Sequence, residues 1–142
     1  MQIEIVYQVD DELYEAFQRL IPQLTHNTPP PTREDLFTLV RDTSSTLLAA
    51  RTEEKRIIGI LSLIIYRVPT GIRSIIEDVI VDISVRGQGI GEALMQRAID
   101  MARQKGAHTI SLTSNSLRVA ANQLYLKMGF EKRETNAYHM KL

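Results

Sequence analysis

Between residues 75 and 94 the chain reads Ile-Ile-Glu-Asp-Val-Ile-Val-Asp-Ile-Ser-Val-Arg-Gly-Gln-Gly-Ile-Gly-Glu-Ala-Leu, and few folds accommodate such a stretch. A β-branched run from Ile75 to Ile83 stops at Ser84, passes Arg86 and the alternating glycines Gly87, Gly89 and Gly91, and then takes on a helical pattern. Strand, glycine loop and helix follow one another directly. Glycine lets the backbone take positive φ and approach a ligand closely, and the first amides of the following helix have no intrahelical partner. Those amides, together with the helix dipole, favour an anion in front of them. A phosphate or pyrophosphate is the expected occupant.

Known phosphate loops narrow the choice. The nucleotide triphosphatase loop requires Gly-Lys-Ser/Thr at the helix start, whereas Gly91 is followed by Glu92 and Ala93. The dinucleotide fingerprint requires a third glycine where this chain has Glu92 or Leu94. What fits is Arg86-x-x-Gly89-x-Gly91, which resembles the Arg/Gln-x-x-Gly-x-Gly/Ala signature of the GNAT superfamily of acyl-CoA-dependent N-acetyltransferases. The resemblance implies that Arg86, Gly87, Gln88, Gly89, Ile90, Gly91 and Glu92 hold acetyl-CoA, used as a cosubstrate.

Composition restricts the alternatives. A chain of 142 residues is expected to form one domain with one good core. Its 17 basic and 17 acidic side chains balance, so no overall field suggests nucleic acid or an anionic membrane as partner. Without cysteine there is no disulfide, thiolate metal site or cysteine nucleophile. His26, His108 and His139 are scattered without ligand spacing, so no metal is expected. The start, Met-Gln-Ile-Glu-Ile-Val-Tyr, lacks a basic and then apolar leader, and no apolar run reaches the ~20 residues of a membrane span, which predicts a cytoplasmic protein.

Along the chain, Gln2 to Val9 reads as a first strand, and Asp10 or Asp11 caps a helix to about Leu24 whose Leu13, Phe17, Leu20, Ile21 and Leu24 share one face. Pro22 is expected to bend or shorten its end. After the loop from Thr25 to Pro31, Thr32 and Asp35 announce a capped helix to about Asp42, with Leu36, Phe37 and Val40 turned inward. Thr46 to Arg51 and Ile57 to Tyr66 read as strands. The second, apolar on both faces, belongs mid-sheet. Beyond the glycine loop come a helix to Lys105, a strand from His108 to Thr113, a helix from about Leu117 to Lys127, and closing strands at Phe130 to Arg133 and Ala137 to Leu142. The predicted order, β-α-α-β-β-β-α-β-α-β-β, describes a mixed α/β sheet covered by helices on both faces and matches the GNAT acyl-CoA N-acyltransferase fold.

A second motif stands at Asn122-x-x-Tyr125-x-x-x-Gly129-Phe130, and it too resembles the GNAT pattern. Arg118, Asn122 and Tyr125 are spaced to share a helix face, beside Ala121, Leu124 and Met128. The resemblance implies that Asn122 contacts the pantetheine arm and that Tyr125 protonates the departing thiolate. It also implies that the backbone of Val79, Ile80 and Val81 pairs with the acetyl and pantetheine groups as an added strand would. An amine of pKa about 10 is almost wholly protonated at neutral pH, so a base is useful. Glu77, in the strand before the loop, is the candidate, with ordered water as the other route, and Ile76-Glu77-Asp78-Val79-Ile80-Val81 looks like the glucosamine-phosphate acetyltransferase branch. Ser84 and Ser114 have no histidine partner in the sequence and no nucleophile-elbow context, which excludes a serine hydrolase.

The implied activity is acetyl transfer from acetyl-CoA to a primary amine, small-molecule or peptide, by direct attack. A GNAT-fold module that senses acyl-CoA without transferring it is the alternative. Dimers are common in the family, which leaves a homodimer open.

Overall fold

The computed structural model describes residues 1–142. Strands β1 (Gln2–Ile5), β2 (Ser45–Arg51), β3 (Ile57–Val68), β4 (Gly71–Val81) and β5 (Thr109–Ser111) form one sheet in that order. Neighbours among the first four run antiparallel, and β5 is parallel to β4. Helices α1 (Asp11–Leu24) and α2 (Arg33–Arg41) fill the first connection, α3 (Ile90–Gln104) makes the crossover from β4 to β5, and α4 (Val119–Lys127) follows. Local chemistry accounts for the helix starts. Asp10 accepts the Leu13 amide at 2.8 Å, and Thr32 and Asp35 form a reciprocal capping box.

The sheet separates two cores. On one face α1 and α2 bury Leu13, Ala16, Phe17, Leu20 and Leu36 against Leu47, Ala49, Ile57, Ile60 and Ile80. On the other, Ile90, Leu94, Met95 and Ala98 of α3 and Tyr125 of α4 pack on Leu48, Ala50, Ile58, Leu61, Leu63 and Ile76. The two-sided apolarity expected of Ile57 to Ile65 has this cause. Gly59 sets how closely α3 approaches, because a Cβ there would lie 3.1 Å from Leu94 Cδ1 and 3.2 Å from Ile90 Cγ2.

Several sequence expectations are corrected. The first strand is short, ending at Ile5, and the strand from His108 to Thr113 contracts to Thr109–Ser111. Pro22 does not shorten α1, which continues to Leu24, and only Gln23 and Leu24 follow it in the helix. Phe37 faces out, 46% exposed, with the Arg41 guanidinium 6.0 Å from its ring, while Leu36 takes the buried position. The two closing strands do not form. No backbone hydrogen bond involves a residue beyond Phe130, and residues from Glu131 to Leu142 are all exposed. The three-residue β5 offers too little edge for a ladder, so Tyr138, Met140 and Leu142 alternate along a segment with nothing to pair with.

Candidate active site

The glycine loop leaves β4 at Val81, passes a 3-10 turn at Ile83–Val85, and enters α3 at Ile90. Gly87 and Gly89 both have φ +80°, and a Cβ added to either would meet no heavy atom within 4 Å, so the loop is an open cradle. The amides from Arg86 to Glu92 donate to no acceptor in the protein; the first hydrogen bond of α3 runs from Ala93 to the Gly89 carbonyl at 3.0 Å. A run of free N–H groups at a helix start is an anion site by construction. Gly91 differs from its neighbours. Its added Cβ would lie 3.5 Å from Val81 Cγ2 and 3.9 Å from Leu124 Cδ2, so a side chain would point into the β4–α4 contact and away from the cradle. Ile90 is likewise buried in the core, leaving only its backbone for a ligand. Arg86 folds back, its Nε donating to the Val81 carbonyl at 3.1 Å, and Glu92 meets Lys127 of α4 at 3.4 Å.

Beside this cradle β4 and β5 part. Their pairing covers only Arg73–Thr109, Ser74–Ile110 and Ile75–Ser111, while β4 runs on to Val81. From Glu77 to Val81 the strand therefore has a free edge on the β5 side. Within that segment Asp78 has φ +50°, and the register with β3 slips: Ser62 pairs with Glu77 but Ile60 with Ile80. This is a β-bulge, which inserts one residue and re-aims the side chains around it. Because Ser62 and Ile60 share a face, the bulge puts Glu77 on the face of Ile80, toward α1 and α2, whereas Val79 and Val81 pack on the α3 side. Glu77 is exposed, yet partial desolvation, and then the neighbouring Asp78 carboxylate, raise its carboxyl above the ordinary range.

Tyr125 closes the site from α4. It is 8% exposed, packed with the α3 core and edge-on to Phe130 at 6.1 Å between ring centres. Its hydroxyl has no protein partner, yet Ser114 Oγ is the one sealed side-chain polar atom without a partner, so the phenol oxygen reaches solvent. Asn122 uses its amide on the Asn115 carbonyl at 3.0 Å and so clasps the β5–α4 connection. Arg118 is exposed at the helix start, so the anticipated shared face of Arg118, Asn122 and Tyr125 grades from solvent to core. Ser114 Oγ, just past the point where the strands part, is sealed without a hydrogen-bond partner in the protein. Sequence reasoning missed a further group: Arg19 and Gln23 of α1 reach Asp82 and Ile83 at the foot of the loop. An Asp-x-Ser turn signal at residues 82–84 was the available hint; nothing in the pattern of α1 pointed there.

The Acetyltransferase (GNAT) family profile matches residues 7–130. The chain belongs to this family. Among curated GNAT relatives it is 38% identical over 82 residues to a glucosamine 6-phosphate N-acetyltransferase of Trypanosoma brucei brucei, an alignment covering 56% of this chain and 54% of the relative. It is 41% identical over 58 residues to a streptothricin acetyltransferase of Streptomyces lavendulae, covering 41% and 31% respectively. The chain thus matches only part of the length of these relatives. In three dimensions it resembles an acetyltransferase of Trypanosoma brucei over 99% of both chains, with TM-score 0.79 and 26% identity. An aminoglycoside acetyltransferase from an uncultured soil sample shares the fold at TM-score 0.86 and 20% identity, over 99% of this chain and 95% of that one. The mixed α/β GNAT fold and membership of the GNAT family are therefore established. No helix is long and apolar enough to cross a membrane.

Proposed function

We propose that this GNAT protein transfers an acetyl group from acetyl-CoA to a primary amine by direct attack, without a covalent enzyme intermediate. The observation that carries the reading is a pair of unpaired backbone stretches flanking one turn: the free amides of Arg86 to Glu92 on one side and the free edge of β4 from Glu77 to Val81 on the other. A pyrophosphate suits the first part and an extended amide arm the second, in the manner of strand addition. The cradle left by Gly87 and Gly89 fits the same ligand.

In this scheme the thioester carbonyl lies at the bulge, where the β4 backbone supplies a donor for the developing oxyanion. The neutral amine attacks the carbonyl carbon, the C–N bond forms, and the C–S bond breaks. The proton lost by nitrogen passes to Glu77, directly or through water, and Tyr125 gives its hydroxyl proton to the departing sulfur. Partial desolvation and the Asp78 charge raise the Glu77 carboxyl, which makes it a stronger proton acceptor than an ordinary carboxylate. The acceptor enters from the α1–α2 side, the face that Glu77 shares.

Calorimetric titration with acetyl-CoA, against NAD and ATP, is the first test. Selective micromolar binding, followed by thiol release in the presence of amines including glucosamine 6-phosphate, is the expected result. Absence of acetyl-CoA binding would overturn the proposal.

A further inference from the structure

The glycine loop is only as well aimed as the turn before it, and apolar packing holds that turn at Val85 alone. Ile83 is 67% exposed, Ser84 is exposed, and only Val85 is partly buried. The rest of its anchorage is polar, centred on Asp82 at the end of β4 and braced from α1. Asp82, 5% exposed, ties its own amide to the Ile58 carbonyl at 2.9 Å and its carbonyl to the Val85 amide at 3.0 Å. Its Oδ1 accepts the Ser84 amide at 3.1 Å and the Ser84 hydroxyl at 3.0 Å. Its Oδ2 accepts Arg19 Nη1 at 3.1 Å, with Arg56 at 3.9 Å.

Arg19 is itself fixed. Its Nη2 donates to Glu12 Oε1 at 3.3 Å and to the Ile57 carbonyl at 3.2 Å, and Glu12 accepts the Ile57 amide at 2.8 Å. One turn along α1, Gln23 accepts the Ile83 amide at 2.9 Å while donating to the Arg19 carbonyl at 3.3 Å. Glu12, Arg19 and Gln23 stand at i, i+7 and i+11, so they form one stripe flanking the apolar face of α1. A planar guanidinium with fixed donor directions sets position as well as charge.

We propose, on the acetyl-CoA reading above, that Asp82 and Arg19 are positioning residues, which lock the Ile83–Val85 turn so that the amides of Arg86 to Glu92 converge on the pyrophosphate. Neither touches the ligand. Loss of the lock lets the loop drift, and losing the net worth of one amide hydrogen bond to the charged pyrophosphate, about 1.5 kcal/mol, weakens binding about tenfold.

The test compares acetyl-CoA with S-acetyl-pantetheine, a thioester that lacks the pyrophosphate, as ligands and as acetyl donors. Wild-type protein that binds no acetyl-CoA would refute the function proposed above before any variant is made. Given wild-type binding, Asp82→Asn and Arg19→Gln are each expected to weaken acetyl-CoA binding about tenfold and leave acetyl-pantetheine binding unchanged. The KM for acetyl-CoA rises accordingly, while kcat at saturation stays near the wild-type value. The double variant is expected to be no worse than either single one, because the two residues act through one contact. Ser84→Ala, at an exposed position, gives a smaller loss in the same direction and keeps the test available if the buried substitution fails to fold. Wild-type acetyl-CoA affinity in folded Ser84→Ala and Arg19→Gln would overturn the inference. So would an equal loss of both ligands, which indicates general damage to the core.

Discussion

Gly89 and Gly91 stand two residues apart in one motif, yet the structure gives them opposite responses to alanine. Gly89 has φ +80° and ψ +10°, left-handed geometry, with no atom near the site of an added Cβ. Alanine there meets no neighbour but carries the intrinsic cost of that conformation, about 1–2 kcal/mol. Gly91 lies inside α3, and its added Cβ would rest at ordinary contact distance, 3.5 Å, from Val81. Alanine at this position gains helix propensity, up to about 1 kcal/mol, lessened by its place in the first turn. For a protein of this size about 1 kcal/mol corresponds to a shift of about 3–4 °C in Tm. Gly89→Ala is therefore expected to melt about 3–8 °C below wild type, and Gly91→Ala at or above it. Thermal unfolding followed by circular dichroism, with calorimetric titration of acetyl-CoA on the same samples, reads both effects. Acetyl-CoA affinity should fall in Gly89→Ala, where relief of strain turns the free amides away, and persist in Gly91→Ala. A Gly89→Ala protein as stable as wild type, or a larger loss in Gly91→Ala, would refute the assignment of left-handed strain to Gly89.

Other perturbations test the remaining parts of the site and fold. Tyr125→Phe keeps the ring packed on Phe130 and removes only the hydroxyl, so turnover should fall about 10²-fold with acetyl-CoA affinity unchanged; an unaltered rate would remove Tyr125 as the acid. Glu77 has a raised carboxyl pKa, so the base is lost by protonation at a pH above the ordinary carboxylate range, and activity should rise with pH through that region. Glu77→Gln should abolish that limb, and an identical pH–rate profile would assign the proton to water. Burial alone would raise Asp82, but the Ser84 amide and hydroxyl and the Arg19 charge hold it below its usual range. A depressed folded-state pKa adds stability above the unfolded value, and that stability is lost as pH falls through the folded one; Asp82→Asn should therefore flatten the acid side of an unfolding profile. Gly59→Ala forces a methyl group to within 3.1 Å of Leu94 and 3.2 Å of Ile90, and urea titration should show a loss of about 1–3 kcal/mol.

The legible parts of this chain were those in which one residue type has one physical use. Alternating glycines between a β-branched run and a helical pattern announced the loop, and Thr32 with Asp35 announced the capping box that forms. Phe37 was misplaced because apolar spacing marks a face without saying how wide the buried stripe is; Arg41 covers its ring at the surface instead. The closing strands were read from local alternation, which is blind to whether an edge exists to receive them. The Arg19–Asp82 pair spans 63 positions of sequence and joins two residues that are unremarkable in their own segments. Only the packing of α1 along the sheet brings them together.

The bulge at Asp78 shows why a site of this kind could not be placed by strand periodicity. In a regular strand, residues three apart point to opposite faces, so Glu77 would oppose Ile80 and sit on the α3 side. One added residue reverses that parity and leaves Glu77 over the α1–α2 face, while the backbone beyond it turns its free edge toward the gap beside β5. Aspartate is among the few non-glycine residues that enter left-handed geometry at modest cost, and a β-branched residue there is strained. Asp78→Val should favour the regular register, returning Glu77 to the other face. If the proposed chemistry is right, that variant loses amine-dependent turnover by more than Glu77→Gln does, since it displaces the base and the oxyanion donor together. A turnover equal to that of Glu77→Gln would mean that the bulge serves only the side chain and that the oxyanion donor lies elsewhere.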